Sequence, residues 1–485
     1  MAFSSTALQQ TTLYKFRYLV GYGFIFVLLL FIISADLGNV PNGLSEAEMQ
    51  QAVASTSMHF GWNMDWVVNG IFNFIQKVSV EAFGLSRLSL VLPSLLFGFF
   101  TIGLFSLTMR HWFRDSVAVV ATVITMTSIP FTTMMRSATP EIMLPFWTMV
   151  LLYGAVRLLV NREKSFGWKL MVVLGSVGLL YTPYGIYALA PILISASFHP
   201  HVRSRFRHIR RTRLVALGLI GAICLVPLAI YTVWHPAHID TLLGFQNLKD
   251  GLFTFHKHLS QVYDMYLNVA KNGFSGTQII PIFNLATIML ALFGLLKCAR
   301  DRFMARSYVL LAWTGVTAIL ILLQPEMIGL VFVPVSLLVA IGTDTLILEW
   351  YKLFPRNPYA RVAGLIPLTI LFLGIGWGNV SHYFDTYGHM SNTLFVQSLP
   401  AIKSALVIEG DHKVILVTSA DDVLFYSILQ KEYKFLTVTT LPPTTTTTPT
   451  FVLPDSGKTL GLIPSRIVTS ERANDGVVLR IYRPQ

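Results

Sequence analysis

The chain has 485 residues, of which 54% are hydrophobic, 13% aromatic and only 12% charged. Soluble globular proteins carry about 25% charged residues, so a disordered chain, a coiled coil and an ordinary soluble enzyme are excluded. Thirty-six basic residues against 24 acidic ones leave a net charge of +12. That excess lies in clusters between apolar runs, which makes it a membrane-orientation signal rather than a sign of a nucleic-acid partner.

Apolar runs of about 20 residues, the length that crosses a hydrocarbon layer of roughly 30 Å, recur over the first 380 positions. The expected fold class is therefore mostly α: a polytopic transmembrane helical bundle. The first run, 18–35, follows Lys15 and Arg17 and reads as an uncleaved span that starts in the cytoplasm. Further spans are expected near 88–109, 115–133, 141–160, 214–234, 277–296, 307–323, 327–348 and 362–380. The stretch 170–198 has basic residues on both flanks, so it should cross and return, turning at Thr182-Pro183-Tyr184-Gly185. The total is about 11 spans in a transmembrane domain 1–380. It is a multi-pass plasma-membrane layout with a cytoplasmic N-terminus and large external loops near 36–86 and 235–276.

From about residue 381 the composition changes, and nine of the 24 acidic residues fall in this tail. Strands are expected at 413–418, 434–439 and 477–482, with a helix at 420–433, giving a small extracytoplasmic α/β domain over 381–485. The Thr/Pro-rich run 439–450 reads as a linker loop. Cys224 and Cys298 sit in or beside apolar runs, with neither metal-ligand spacing nor a disulfide framework. His235 and His238 lack acidic or thiolate partners at ligand spacing, so no metal site is expected.

The spans are nearly free of charge, while Asp36, Glu46, Glu48, Asp65, Glu81 and Glu141 lie just outside them. Within this frame Pro41-Asn42-Gly43-Leu44-Ser45-Glu46-Ala47-Glu48 resembles the first external loop of GT-C glycosyltransferases, which reads Pro-x-Gly-Leu-x-x-Asp-Glu. That superfamily uses polyprenyl-phosphate sugars and includes protein O-mannosyltransferases and the lipid A aminoarabinose transferase. Phe83–Ser94 resembles the family's start of the second span, which ends Arg-Leu-Pro-Ser. Ser128–Glu141 resembles the second external loop, and Tyr181-Thr182-Pro183-Tyr184 the paired short spans. Two positions depart from the pattern: the family Asp falls on Ala47, and the family Arg falls on Val91, with Arg87 four residues back.

The resemblance implies transfer of a sugar from a polyprenyl-phosphate carrier to a glycan, lipid or protein acceptor at the outer face of the membrane. A first-loop carboxylate would act as base in an inverting displacement, with no cofactor beyond the donor. Candidate acids are Glu48, Glu46 and Glu141. Ser45-x-x-Glu48 is equally a helix capping box that needs no catalysis to explain it. Arg136, Lys257 and Arg87 are candidates for the donor phosphate; Arg136 can instead pair with Glu141. Tyr181 and Tyr184 suit a sugar or acceptor pocket, or simply anchor the chain at the interface. A non-catalytic alternative stands beside the enzyme: a lipid-linked-saccharide transporter or a degenerate GT-C scaffold.

Overall fold

The computed structural model describes residues 12–38, 40, 43–59, 66–160, 165–207, 211–236, 238–267, 283–325, 327–353, 358–389, 398–410, 412–441, 448–456, 463–469 and 477–483. The first apolar run is helix α1 (Thr12–Ser34). The loop after it folds into α2 (Glu46–Ser57) and α3 (Gly70–Phe83). Next come α4 (Arg87–Trp112), α5 (Asp115–Thr127), α6 (Ile129–Arg136) and α7 (Met143–Val160). The helices α8 (Ser165–Leu180), α9 (Gly185–Phe198), α10 (Pro200–Arg207) and α11 (Arg211–Trp234) follow. Short helices α12 (His238–Leu243), α13 (Phe245–Phe253) and α14 (Phe255–Val262) precede three long ones, α15 (Leu285–Arg300), α16 (Ala305–Leu323) and α17 (Ile328–Leu353). Helix α18 (Pro358–His389) leads to the tail.

The protein is a multi-pass helical membrane protein. Among the described residues, six helices are long and apolar enough to cross a bilayer, or seven if the bent pair α5 and α6 is one span. At least six of the 11 crossings expected from hydropathy are thus present among the described residues. Three further apolar stretches, Leu19–Ile32, Phe166–Leu180 and Gly185–Phe198, are shorter helices. The expected continuous span at 115–133 is broken by 58°. Ser128 there is extended, with φ −62° and ψ 142°, and Pro130 enters the first turn of α6, where its missing N–H costs nothing. The chain also breaks between α8 and α9, at the turn expected around Thr182–Gly185.

Helices α15 and α17 pack backbone to backbone. A methyl group at Gly294 would overlap the Leu338 carbonyl, and one at Gly342 the Leu290 carbonyl. Such close approach is the usual device by which membrane helices associate, because lipid removes the hydrophobic drive between them.

The tail holds α19 (Ser398–Glu409), β1 (Val414–Val417), α20 (Val423–Glu432), β2 (Leu436–Thr439), β3 (Thr450–Val452), β4 (Arg466–Thr469) and β5 (Val477–Tyr482). The strand order is β2-β1-β3-β5-β4. The β1–β2 and β1–β3 pairs are parallel, whereas β5 runs antiparallel to both β3 and β4. Helix α20 is the crossover from β1 to β2, the βαβ connection that a parallel pair requires. The expected boundary at 381 falls inside α18, which runs on to His389.

This small domain is seated on the bundle. Leu44, Met49, Ala52, Leu85, Leu90 and Ala138 share one buried cluster with Ile402, Leu406, Leu416, Phe425 and Leu429. Burial of each leucine, isoleucine, methionine or phenylalanine in it contributes about 1.5–3 kcal/mol. Glu432 at the end of α20 completes the joint: it accepts the Leu85 N–H at 3.0 Å and pairs with Lys403 at 2.7 Å.

Candidate functional site

The loops on the face carrying the sheet domain are tied together by two buried charges. Ser45 caps α2: its hydroxyl accepts the Glu48 N–H at 3.3 Å, and Glu48 Oε2 accepts the Ser45 N–H at 2.8 Å. Both halves of the capping box are present. The second carboxylate oxygen, Glu48 Oε1, accepts the Ala138 N–H at 2.8 Å. Glu48 is only 2% exposed, so both oxygens are committed inside the protein. We assign it to stapling the 137–142 segment onto the start of α2.

Arg136 is fully buried. One guanidinium nitrogen donates to the Ile32 and Ala35 carbonyls, each at 2.7 Å, and the other to the Val40 carbonyl at 2.8 Å. These acceptors are the unspent carbonyls at the C-terminal end of α1 and the chain just beyond it, where a cation is also favoured by the helix dipole. The rings of Tyr383 and Phe384 lie 5.6 and 5.1 Å from its guanidinium carbon. Three of its donors are thus spent on backbone, while the buried Nε–H has no acceptor, and we assign Arg136 to holding the first loop.

Arg87, half-buried, behaves similarly, since it donates to the Gly43 carbonyl and, at 3.4 Å, to the Arg136 carbonyl. Gly43 has φ +107°, a conformation open to glycine and unfavourable to other residues.

The other candidates have different surroundings. Glu46 is exposed in the first turn of α2 and accepts a hydrogen bond from Gln50 at 3.0 Å. Glu141 is exposed, three residues beyond the Ala138 amide that Glu48 holds. Lys257 is exposed on α14, between His256 and His258. Tyr181 donates its phenol to the Cys224 carbonyl at 2.6 Å. The Tyr184 backbone N–H goes to Leu242 at 2.8 Å, and its phenol oxygen accepts from Gln324 Nε2 at 3.4 Å.

Sequence reasoning missed two amides at this turn. The Asn69 N–H donates to the Tyr181 carbonyl at 3.1 Å, which places the start of α3 against the α8–α9 break. Asn69 Oδ1 and Gln324 Oε1 are both buried, and neither accepts a hydrogen bond. A buried acceptor without a donor is costly and uncommon in native structures. Lone amides carry no motif, so only the tertiary arrangement reveals them. Asp36, Asn69 and Tyr184 are also the three non-glycine residues with left-handed φ among the described residues, at +48°, +52° and +61°. Strained backbone of this kind collects at functional sites. Among the described residues no cluster of three or more His, Cys, Asp or Glu could hold a metal ion.

The family model for dolichyl-phosphate-mannose-protein mannosyltransferase matches residues 71–231. No curated protein matches the chain. Crystal structures of ArnT from Cupriavidus metallidurans are similar along nearly the whole chain. The apo form aligns with TM-score 0.53 at 14% identity, covering 96% of this chain and all of that one. The form bound to undecaprenyl phosphate aligns with TM-score 0.54 at 14% identity, covering 96% and 99%. An Archaeoglobus fulgidus oligosaccharyltransferase tethered with an acceptor peptide aligns with TM-score 0.49 at 11% identity, covering 89% of this chain and 64% of that one. The chain therefore shares the fold of the ArnT structures along nearly its whole length, the GT-C type of fold that the resemblance of its loop motifs implied.

Proposed function

We propose that the chain is a membrane glycosyltransferase that moves a sugar from a polyprenyl-phosphate carrier to an acceptor hydroxyl. The reaction takes place at the outer face of the plasma membrane, where the sheet domain sits, and the N-terminus is cytoplasmic. The observation that carries this reading is the pair of buried amide oxygens, Asn69 Oδ1 and Gln324 Oε1, left without donors at the Tyr184 turn. A sugar presents the hydroxyl donors that such oxygens lack. The fold, shared along the chain with a protein solved with undecaprenyl phosphate, supports a prenyl carrier.

With Glu48 committed to Ser45 and Ala138, the base is Glu46, exposed at the N-terminal turn of α2. Glu46 takes the proton of the acceptor hydroxyl and the acceptor oxygen attacks the anomeric carbon. The bond from that carbon to the phosphate oxygen then breaks with inversion, and the lipid phosphate leaves. Lys257 offsets the charge developing on that phosphate. Glu141 is the reserve acid, and Tyr184 orients the sugar together with the two amides. The acceptor is a glycan, lipid or protein.

The test is sugar transfer by Glu46→Gln. Loss of positioned base catalysis lowers the rate by about 10²–10⁴-fold, with an unchanged melting profile. A wild-type rate in that variant removes Glu46 as base. One observation favours the alternative of a non-catalytic scaffold or lipid-linked-saccharide transporter: Glu48 and Arg136, both in the GT-C-like loops, spend their side chains on backbone. Movement of labelled lipid-linked sugar across vesicles without transfer to an acceptor would establish the transporter.

A further inference from the structure

A second site lies at the opposite end of the bundle from the sheet domain. There α5, α17 and α18 leave a cavity of about 250 Å³ between them. It is lined by the apolar Val117, Val120, Leu365, Leu368 and Phe372 and by the polar Arg114, Ser116, Asp344 and Tyr351. Asp344 lies 16 residues after Ile328, roughly 24 Å along α17 at 1.5 Å per residue. That distance places it near the far boundary of a hydrocarbon layer of about 30 Å. The neighbouring charges are largely occupied: Arg110 pairs with Asp115, Lys297 with Asp301 and Lys352 with Glu349. Arg306 stacks over Trp112 and Phe113. Asp344 feels the charges of Arg306, Arg114 and Lys297, yet among the described residues neither it nor Arg114 is within ion-pair distance of an opposite charge, although both line the same cavity.

A half-buried carboxylate at this depth with no ion pair is costly to hold, and such residues mark binding sites. Two opposite charges held apart over an apolar wall match a ligand that carries both signs beside a hydrocarbon chain. The volume is below the range of about 300–1,000 Å³ typical of pockets for drug-sized molecules, so it suits a headgroup rather than a nucleotide sugar. We propose that this cavity binds the headgroup of an amine-bearing phospholipid from the leaflet opposite the sheet domain. The lipid phosphate sits on Arg114, its primary ammonium on Asp344, and the start of one acyl chain lies against Leu368 and Phe372. This site is independent of the transfer chemistry and of the prenyl carrier.

Native mass spectrometry of the full chain titrated with phosphatidylethanolamine, phosphatidylcholine and phosphatidylglycerol tests the assignment. The wild type should bind phosphatidylethanolamine about tenfold more tightly than the other two. A primary ammonium hydrogen-bonds a carboxylate, whereas a quaternary ammonium does not and glycerol carries no charge. Asp344→Asn should abolish that preference. Arg114→Gln, at an exposed position where folding is not at stake, should weaken all three lipids. Equal binding of the three by wild type, tighter phosphatidylglycerol binding, or a preference that survives Asp344→Asn overturns the proposal.

Discussion

Replacing Glu48 separates a structural carboxylate from a catalytic one. Its two oxygens hold the Ser45 and Ala138 N–H groups, each at 2.8 Å, and the side chain is 2% exposed. Glu48→Ala strands both donors. A buried unpaired donor costs about 1–3 kcal/mol, and Ser45 is only half-buried, so the expected loss is about 2–4 kcal/mol. Glu48→Gln keeps one acceptor oxygen but turns an amide N–H₂ toward the other donor, which costs about 1–3 kcal/mol. Thermal unfolding in detergent, followed by intrinsic fluorescence, should rank the proteins wild type, Glu48→Gln, Glu48→Ala. Transfer activity, measured below the transition and normalised to folded protein, should fall far less in Glu48→Gln than in Glu46→Gln. A Glu48→Gln protein that melts like wild type yet transfers no sugar would refute the staple and make Glu48 the base.

Other perturbations test the rest of the frame. Arg136→Lys replaces a planar fork bonded to three carbonyls with a single ammonium. Each charge-assisted bond lost costs about 1.5–3 kcal/mol, and amide exchange over residues 32–40 should accelerate. Gly342→Ala drives a methyl group into the Leu290 carbonyl, and overpacking of about 1–3 kcal/mol should lower the unfolding temperature. Glu432→Gln removes the charge shared by Lys403 and the Leu85 N–H. Faster exchange should follow at 84–86 and 398–409, with α15 and α17 unchanged.

Local signals were legible in the sequence where a single segment contains both partners. The Ser45–Glu48 capping box and the break at Thr182–Gly185 are of this kind, and the strand Val414–Val417 shows as a continuous apolar run. Hydropathy also exposes the membrane bundle, but it cannot see that Ser128 and Pro130 bend one apolar run by 58°. The short strands Thr450–Val452 and Arg466–Thr469 escaped notice. Each is too brief to show a period, and pairing with Val477–Tyr482 makes them strands. The partners of Arg136 lie about 100 positions away at Ile32, Ala35 and Val40. A cation in a loop looks like a ligand site until the carbonyls it serves are known. Asn69 and Gln324 are legible only in three dimensions for the same reason.

The account rests on a sugar carried by a prenyl phosphate, and the most direct measurement is saturable binding of that lipid to the purified chain. Native mass spectrometry with undecaprenyl phosphate should show a single-site complex that resists a tenfold excess of dioleoyl phosphatidic acid. Lys257→Gln should weaken it. Binding no tighter than that of phosphatidic acid, at any prenyl chain length offered, would contradict the proposed donor class while leaving the GT-C fold intact.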